Sequence, residues 1–270
     1  MSIPESKSVE KTLERPDIHR QWKNSYRTEE NEKFYEYAFD YIVSCLSPRK
    51  DSIFLDAGCG TCNHSIRLAR CGFSVIAADF SESALKMAEL NLQSFNMQDK
   101  IKLKRENLLS LSFADETFDY ILCWGVLMHI PDMEKAISEL SRVLKKGGVL
   151  IISEGNMSSL QSIVLRNLKA LLGKEKSVVR RTDAGLEYRE TTSAGDLLTR
   201  QTNIAWLKRR FQNTGFVVKK HVSGQFTELY TRVSPKLLIG LIHGFNNLWF
   251  KYIKIPFFSF GNILILQKKA

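Results

Sequence analysis

A glycine-rich turn between a predicted strand and a predicted helix lies in the segment IFLDAGCGTCNHSIRLA, residues 53–69. Gly58 and Gly60 permit a tight turn and let backbone N–H groups approach a ligand, and the following helix adds partial positive charge. Such a loop is typical of a site for an anionic group. A dinucleotide-binding turn of the G-x-G-x-x-G type needs a third glycine at position 63, where this chain has Asn63, so a dinucleotide is disfavoured.

An acidic residue, Asp79, ends the next predicted strand in SVIAADFS, 23 residues after Asp56. This is close to the spacing at which an acidic residue meets ribose hydroxyls in doubly wound folds. An ionised carboxylate is a good acceptor for the two O–H donors of a vicinal diol. The turn and the carboxylate together predict a nucleoside-binding site.

These motifs, in this order and spacing, resemble those of the class I S-adenosylmethionine-dependent methyltransferases, particularly the small-molecule group that includes the enzymes of ubiquinone and menaquinone biosynthesis. The family's first motif, D-x-G-x-G-x-G, matches Asp56, Gly58 and Gly60, with Cys62 in place of the last glycine. Further matches are KRENLLSLSFADETFDYILCWGVLMHIPD and LKKGGVLIISE. The resemblance covers residues 52–154 strongly, and the last predicted helix and two strands weakly.

The resemblance implies S-adenosylmethionine as the cofactor and S-adenosylhomocysteine as its product. It places Phe80 against the adenine, with Ser81 beside it, and puts Asn107 where the family has an aspartate at the adenine edge. Leu108 would supply a backbone N–H there. The implied cofactor-binding residues are Asp56, Gly58, Cys59, Gly60, Asp79, Phe80, Ser81, Asn107, Leu108, Cys123, Trp124 and Gly125.

Brief apolar runs alternate with helical patterns around these motifs. The predicted strands are SIFLDAG, FSVIAAD, KIKLKREN, FDYILCW and GVLIISE, and the predicted helices are Cys62–Arg70, Ser81–Ser94 and Asp132–Leu144, with Ser81 and Asp132 as N-caps. This alternation predicts an α/β fold with a doubly wound, mostly parallel sheet covered on both faces. The resemblance implies a seven-stranded, Rossmann-like sheet with N-terminal helices and an inserted helical cap.

The pattern of predicted elements, together with what the resemblance implies, divides the chain into five parts. They are a flexible N-terminal arm at 1–16, an N-terminal helical cap at 17–47, a cofactor-binding α/β core at 48–155, an inserted acceptor-binding cap without strand signal at 156–200, and the C-terminal part of the core at 201–270, with a helical, aromatic insertion at about 225–258.

Two residues are candidates for a general base, which methyl transfer to a hydroxyl group requires. His129 follows the fourth predicted strand and Glu154 ends the fifth. A structural role of His129 in the cofactor loop, and a capping role of Glu154, remain the alternatives. The candidates for contact with the acceptor are His19, Trp22, Tyr26, Arg27, Tyr188 and Arg200, which otherwise serve packing or the surface.

The formal net charge of +10 favours an anionic partner, or else reflects solvated basic residues. A nucleic acid acceptor is disfavoured because the fourth-strand motif CWGV lacks the [DN]-P-P-[YF] pattern and no Pro-Cys nucleophile is present. We therefore predict O-methylation of a small-molecule or glycan hydroxyl by in-line displacement. A lipid-linked acceptor at an anionic membrane surface is the alternative, because residues 237–260 have the aromatic and basic composition of an interfacial segment. A buried cap or a dimer contact would also explain that segment.

The five cysteines, among them the C-x-x-C pair Cys59 and Cys62, form neither a disulfide pattern nor a zinc pattern, so we expect a metal-independent reaction. The sequence shows no secretory signal and no uninterrupted apolar run long enough to span a bilayer, which predicts a cytoplasmic protein, with peripheral membrane contact as the alternative. Both a monomer and a homodimer are compatible with these features.

Overall fold

The computed structural model describes residues 5–26, 28–46, 52–173, 179–192 and 195–270. The helices are α1 (Glu5–Leu13), α2 (Pro16–Tyr26), α3 (Glu29–Ser44), α4 (Asn63–Arg70), α5 (Glu82–Ser94), α6 (Met133–Val143), α7 (Leu160–Leu171), α8 (Ile204–Asn213) and α9 (Lys236–Leu248), which a π-helical turn at Trp249–Ile253 continues. The strands are β1 (Ile53–Ala57), β2 (Ser74–Asp79), β3 (Ile101–Arg105), β4 (Phe118–Trp124), β5 (Leu144–Gly155), β6 (Val179–Thr182), β7 (Gly185–Thr192), β8 (Gly195–Thr202), β9 (Phe216–Ser223) and β10 (Gly261–Lys268).

Seven strands form the central sheet, in the order β3-β2-β1-β4-β5-β10-β9. The pairs β1–β2, β1–β4, β2–β3 and β4–β5 are parallel, and β10 runs antiparallel to both of its neighbours. The prediction of a doubly wound, mostly parallel sheet is confirmed. After β3 the chain crosses back over the sheet and places β4 on the other side of β1. The strand order therefore reverses between β1 and β4. Sheets of this kind bind ligands at that point.

Helices cover both faces of the sheet because neighbouring residues of a strand point to opposite sides. Phe54 of β1 is buried in a cluster with residues of α3, α4 and α5, whereas Leu55 is buried in a second cluster with residues of α6 and α8. Ser81 and Asp132 cap α5 and α6 as predicted: their side chains accept hydrogen bonds from Ala84 N at 3.3 Å and Lys135 N at 3.0 Å.

The prediction of a flexible N-terminal arm at 1–16 is wrong for the residues of that arm that the structure describes. Residues 5–13 form α1, and Val9 and Leu13 are buried in a cluster with Ile18 and with Leu198 of β8. The sequence analysis missed Val9 and Leu13, which lie one helical turn apart in a polar segment, because Leu198, against which they pack, lies far away in the chain. Residues 1–4 lie outside the described ranges.

The insertion at 156–200 also differs from the prediction. It contains α7, but β6, β7 and β8 then form an antiparallel three-stranded sheet. The strands escaped prediction because a buried ion pair takes the place of apolar residues: Glu187 and Arg200 are cross-strand partners of β7 and β8. The segment around 225–258 is helical in part, as predicted, since it contains α9. Within the described ranges, none of the helices combines the length and the apolar character that crossing a bilayer requires.

Candidate active site

A cavity of about 720 Å³ opens where the strand order reverses, at the carboxyl ends of β1, β2, β4 and β5. Its wall includes Gly58 after β1, Asp79 at the end of β2, Trp124 at the end of β4 and Glu154 near the end of β5. The motifs that the sequence analysis singled out therefore converge on one site.

The glycine turn after β1 needs its glycines for two different reasons. Gly58 has φ +79°, and a Cβ atom there would lie 2.5 Å from Cγ2 of Val126, so a side chain at this position requires Val126 to move. Gly60 has φ +53° and open space around it, so it presents its backbone to the cavity. Cys62, which replaces the family's last glycine, is also left-handed at φ 65°, a conformation that is unfavourable for a residue with a side chain.

Asp79 joins the two motifs of the cofactor prediction. Its Oδ2 accepts a hydrogen bond from Gly60 N and its Oδ1 accepts one from Ser81 N, both at 2.9 Å. Burial raises the pKa of Asp79, and the two N–H donors oppose that rise. The result is a carboxyl group held at the cavity wall in a fixed orientation.

Beyond Asp79 the wall combines apolar residues with Asn107 and the acidic residues Glu10 and Glu106. Phe80 and Leu108 line it, and Phe80 packs against the buried cluster of Val9 and Leu13. The side chain of Asn107 accepts a hydrogen bond from Leu109 N at 2.9 Å and lies 3.4 Å from Glu10 Oε1. Helix α1 thus closes this end of the cavity, which the prediction of a flexible arm missed.

The cavity has two halves, and we call the half that contains the glycine turn and Asp79 the cofactor half. The end of this half near Trp124 contains charged and aromatic residues that the sequence analysis did not select. Arg67 of α4 forms an ion pair with Glu32 of α3 and lies over the ring of Tyr35. His64 stacks on Phe39, with 5.1 Å between ring centroids. His64, Arg67, Glu32 and Tyr35 line the cavity beside Trp124 and Gly125. The position of His64 and Arg67 directly after the glycine turn was the signal that could have found them.

Three of the implied cofactor residues do not line the cavity. Asp56 accepts a hydrogen bond from Ser65 Oγ at 2.6 Å and so ties β1 to α4. Cys123 is fully buried in the core, because strand alternation points it away from the side of Trp124. Ser81 caps α5, and its hydroxyl lies 3.1 Å from His19 Nε2.

The other half of the cavity contains His129, which lies in a short turn after β4. Its Nδ1 lies 2.7 Å from the carbonyl oxygen of Leu198, and its ring stacks on Trp22 with 5.1 Å between centroids. A carbonyl oxygen only accepts, so Nδ1 carries a proton and the neutral ring has its lone pair on Nε2. Burial lowers the pKa of His129 below its ordinary value of 6.5, which favours this neutral form.

Buried charged side chains fix the turn that carries His129. Glu154 Oε1 accepts a hydrogen bond from Leu127 N at 3.0 Å, and burial raises the pKa of Glu154 to about 8. Arg200 donates through Nη1 to the carbonyl oxygens of Leu127 at 3.2 Å and Ile130 at 3.0 Å. Its Nε and Nη2 donate to Glu187 Oε1. We call this group, Glu154, Glu187 and Arg200, the clamp.

Four of the remaining residues that were predicted to contact the acceptor lie on the cavity wall. His19, Trp22, Tyr26 and Tyr188 line the cavity, and Arg27 lies outside the described residues. His19 Nε2 lies 2.8 Å from the carbonyl oxygen of Leu13, so it donates there and joins α2 to α1. The sequence analysis missed three cationic residues of the wall, Arg166, Lys169 and Arg232. In the described part of the chain, His, Cys, Asp and Glu side chains form no group of three or more that could hold a metal ion.

The fold is that of a class I methyltransferase, and comparison with known proteins agrees. A family model described as "Methyltransferase domain" matches residues 48–205, more than half of the chain. The chain belongs to this family of S-adenosylmethionine-dependent methyltransferases, and S-adenosylmethionine is its cofactor.

Individual relatives share limited identity with the chain. A demethylmenaquinone methyltransferase of Desulfitobacterium hafniense (strain Y51) is 27% identical over 198 residues, which cover 68% of this chain and 77% of the relative. A ubiquinone biosynthesis O-methyltransferase of Alkalilimnicola ehrlichii is 32% identical over 118 residues, which cover 43% of this chain and about half, 47%, of the relative. The crystal structure of PH0226 from Pyrococcus horikoshii OT3 shares the fold with a TM-score of 0.64 at 18% identity, over 94% of this chain and 99% of that one.

Proposed function

We propose that the protein transfers the methyl group of S-adenosylmethionine to a hydroxyl group of a small organic acceptor, with His129 as the general base. The observation that carries the proposal is the hydrogen bond from His129 Nδ1 to the carbonyl oxygen of Leu198, 2.7 Å long. It fixes the tautomer that has a proton-accepting Nε2, on the wall of the cavity that also contains the glycine turn and Asp79.

The cofactor half of the cavity offers a partner for each part of S-adenosylmethionine. The carboxyl group of Asp79 suits the ribose hydroxyls, and the apolar wall at Phe80 and Leu108 suits the adenine. Arg67 and Glu32 offer opposite charges for the carboxylate and the ammonium group of the methionine part. When bound, the cofactor supplies an electrophilic methyl group on a sulfonium centre.

The acceptor half supplies orientation and a proton acceptor. Holding the reacting groups in line can contribute on the order of 7–11 kcal/mol. His129 Nε2 would accept the proton of the acceptor hydroxyl while the oxygen–methyl bond forms and the methyl–sulfur bond breaks, with S-adenosylhomocysteine as the leaving group. General base catalysis of this kind is worth about 10²- to 10⁴-fold. The pKa of His129 lies below 6.5, so the base is neutral and competent at pH 7.

Glu154 suits a positioning role better than that of a base. With its pKa raised to about 8, it holds a proton at neutral pH. Its Oε1 accepts from Leu127 N and thereby orients the turn of His129. The clamp as a whole keeps the imidazole at the cavity wall.

A hydroxylated aromatic ring is the acceptor class that this half of the cavity favours. Trp22, Tyr26 and Tyr188 offer aromatic surface, and Arg166, Lys169 and Arg232 offer positive charge for an acidic phenol or a carboxylate. The names of the relatives, which refer to menaquinone and ubiquinone biosynthesis, support a quinone-related small molecule. A sugar hydroxyl would satisfy the same base. A lipid-linked form of either acceptor is the second candidate, because helix α7, which has exposed apolar residues, borders this half of the cavity.

The proposal is tested by measuring the transfer of a labelled methyl group from S-adenosylmethionine to a short-chain quinol that has two adjacent ring hydroxyl groups. We expect His129→Ala to lower kcat about 10²- to 10⁴-fold while the Kd for S-adenosylhomocysteine, measured by calorimetry, stays unchanged. Added imidazole should restore part of the turnover, because it replaces the missing base and not a missing packing contact. Near-normal turnover of His129→Ala on a quinol that the wild type methylates would refute His129 as the base.

A further inference from the structure

Helix α7 has its apolar residues on the outside. The exposed residues Leu160, Val164, Leu168 and Leu171 follow helical spacing, and Leu171 is 85% exposed. On the inward side of the same helix, Gln161 and Ser162 are buried. Core helix α6 has the ordinary arrangement, with its apolar residues inside. The pattern of α7 is therefore that of a helix whose apolar side faces something other than water.

Helix α9 repeats this inversion. Leu237, Leu241 and Leu248 lie on its outer side, with Leu237 79% and Leu241 63% exposed, whereas His243 and Asn246 are buried. After α9, the residues Ile253–Phe258 add further exposed apolar side chains, with Phe257 70% exposed. Scattered single apolar residues are normal on a protein surface, but two helices with whole apolar stripes are not.

Hydrogen bonds between the inner polar residues join these segments into one surface. Thr227 connects the two helices, since its hydroxyl donates to Gln161 Oε1 and its N–H donates to Asn246 Oδ1 at 3.1 Å. At the start of α7, Leu160 N donates to the carbonyl oxygen of Phe258 at 3.1 Å. We call the exposed apolar side chains of 160–172, 237–248 and 253–258 the outer face.

The two segments that carry the outer face contain basic residues and no acidic ones. Residues 155–173 and 229–260 contain no aspartate or glutamate, although the chain has 29 acidic residues. The same two segments contain six basic residues: Arg166, Lys169, Arg232, Lys236, Lys251 and Lys254. Apolar and aromatic residues with lysines at the rim are the composition of interfacial segments, because a lysine can extend its ammonium group to lipid phosphates while its stem stays in the apolar layer.

We propose that the outer face docks onto the surface of an anionic lipid bilayer. Charge complementarity favours this occupant over a second copy of the chain, because two outer faces packed together would bring Lys236, Lys251 and Lys254 near their copies, with no carboxylate among these segments to neutralise them. Docking also has a consequence for the cavity. Arg166 and Lys169 of α7 line the cavity wall, so the acceptor half would open next to the lipid headgroups.

Vesicle flotation tests this proposal without cofactor or acceptor, so its result is independent of the proposed reaction. The probes are vesicles of pure phosphatidylcholine and of equal parts of phosphatidylcholine and phosphatidylglycerol, at low and at high salt. We expect the wild type to bind the anionic vesicles about tenfold more strongly than the neutral ones at low salt, and less so at high salt.

Matched variants locate the contact. Leu237→Ser/Leu241→Ser on α9 and Leu168→Ser/Leu171→Ser on α7 remove apolar surface without adding charge, and each should weaken binding about tenfold or more. Lys236→Gln/Lys251→Gln should weaken binding to anionic vesicles only. Controls are Leu90→Ser, another exposed leucine on a helix, 66% exposed on α5, and Lys146→Gln, an exposed lysine outside these segments. Both controls should bind as the wild type does, and the Kd for S-adenosylhomocysteine verifies that every variant is folded.

Three results would overturn the proposal. The first is a wild type that stays unbound to anionic vesicles at low salt. The second is undiminished binding of both double leucine variants. The third is a wild-type dimer in light scattering that the leucine substitutions dissociate and that does not float with vesicles, because the outer face would then be a contact between two copies.

Discussion

The two halves of the cavity are built in different ways. In the cofactor half, the hydrogen bond between Gly60 and Asp79 joins residues 19 positions apart, which a strand, a helix and the next strand bring together. In the acceptor half, the hydrogen bond between His129 and Leu198 joins residues 69 positions apart, and the small sheet of the insertion supplies the second partner. In the first half, the glycine turn and Asp79 form a local unit of the fold, and α1 and α3 pack onto its ends. The second half exists only when a distant segment packs onto the end of β4. We therefore expect the two halves to be separable by mutation.

The largest expected effect is in the acceptor half. Arg200→Met leaves Glu187 buried without its partner and removes the donor to two backbone carbonyls, so we expect the free energy of unfolding to fall by about 3–5 kcal/mol in urea denaturation. The Kd of the folded variant for S-adenosylhomocysteine should stay unchanged, because the hydrogen bonds that hold Gly60, Asp79 and Ser81 together do not involve the clamp.

The double variant Arg200→Met/Glu187→Leu is the matched control. It removes both charges, so it should recover most of the lost stability. A single variant as stable as the wild type, or one that loses cofactor binding while folded, would contradict the separation of the two halves.

Asp79→Ala should act on the cofactor half alone. It removes the acceptor proposed for the ribose and leaves the N–H groups of Gly60 and Ser81 without their partner. We expect the Kd for S-adenosylhomocysteine to rise about a hundredfold, or about 2.7 kcal/mol, in calorimetry. Asp99→Ala, which changes an exposed aspartate, serves as the control. An unchanged Kd in Asp79→Ala would remove the basis of the cofactor assignment.

The glycine turn should respond differently at its two positions. In Gly60→Ala the added methyl group has open space around it. The substitution therefore costs only the strain of placing alanine in the left-handed conformation, which lowers the unfolding free energy by about 1–2 kcal/mol. Gly58→Ala bears the same cost plus the clash with Val126, so it should lose about 1–3 kcal/mol more. Adding Val126→Ala to Gly58→Ala should recover part of that difference, and equal losses in the two single variants would disprove the role of Val126.

Glu154→Gln should change the pH dependence of stability. The pKa of Glu154 is about 8 in the folded protein against an ordinary value of 4.5, so the folded state retains a proton that the unfolded state releases. Wild-type stability therefore falls as the pH rises between these values, by up to about 1.4 kcal/mol per pH unit from this group. Urea denaturation from pH 5 to pH 8 should show a shallower decline in Glu154→Gln. The control Glu89→Gln, at an exposed position, should show the same decline of unfolding free energy with pH as the wild type. If Glu154→Gln also declined like the wild type, Glu154 would not be a buried, protonated residue.

The sequence by itself determined the central sheet and, in the cofactor half, the glycine turn and Asp79. Short apolar runs and N-caps such as Ser81 and Asp132 are local signals, and a strand followed by its helix and the next strand has few ways to fold. Gly58, Gly60 and Asp79 were found because the turn and the strand end that carry them are read from neighbouring residues. The family resemblance placed Cys123 in the site as well, but the alternation of side chains along β4 points it into the core.

Only the tertiary structure decided the acceptor half and the outer face. The packing of Val9 and Leu13 on Leu198, and the pairing of Glu187 with Arg200, depend on contacts between segments far apart in the chain. Periodicity showed that α7 is a helix, but not that its apolar stripe faces outwards, because a helical pattern is the same whichever side meets the core. Burial is a property of the assembled molecule, and for that reason the direction of each face appeared only with the fold.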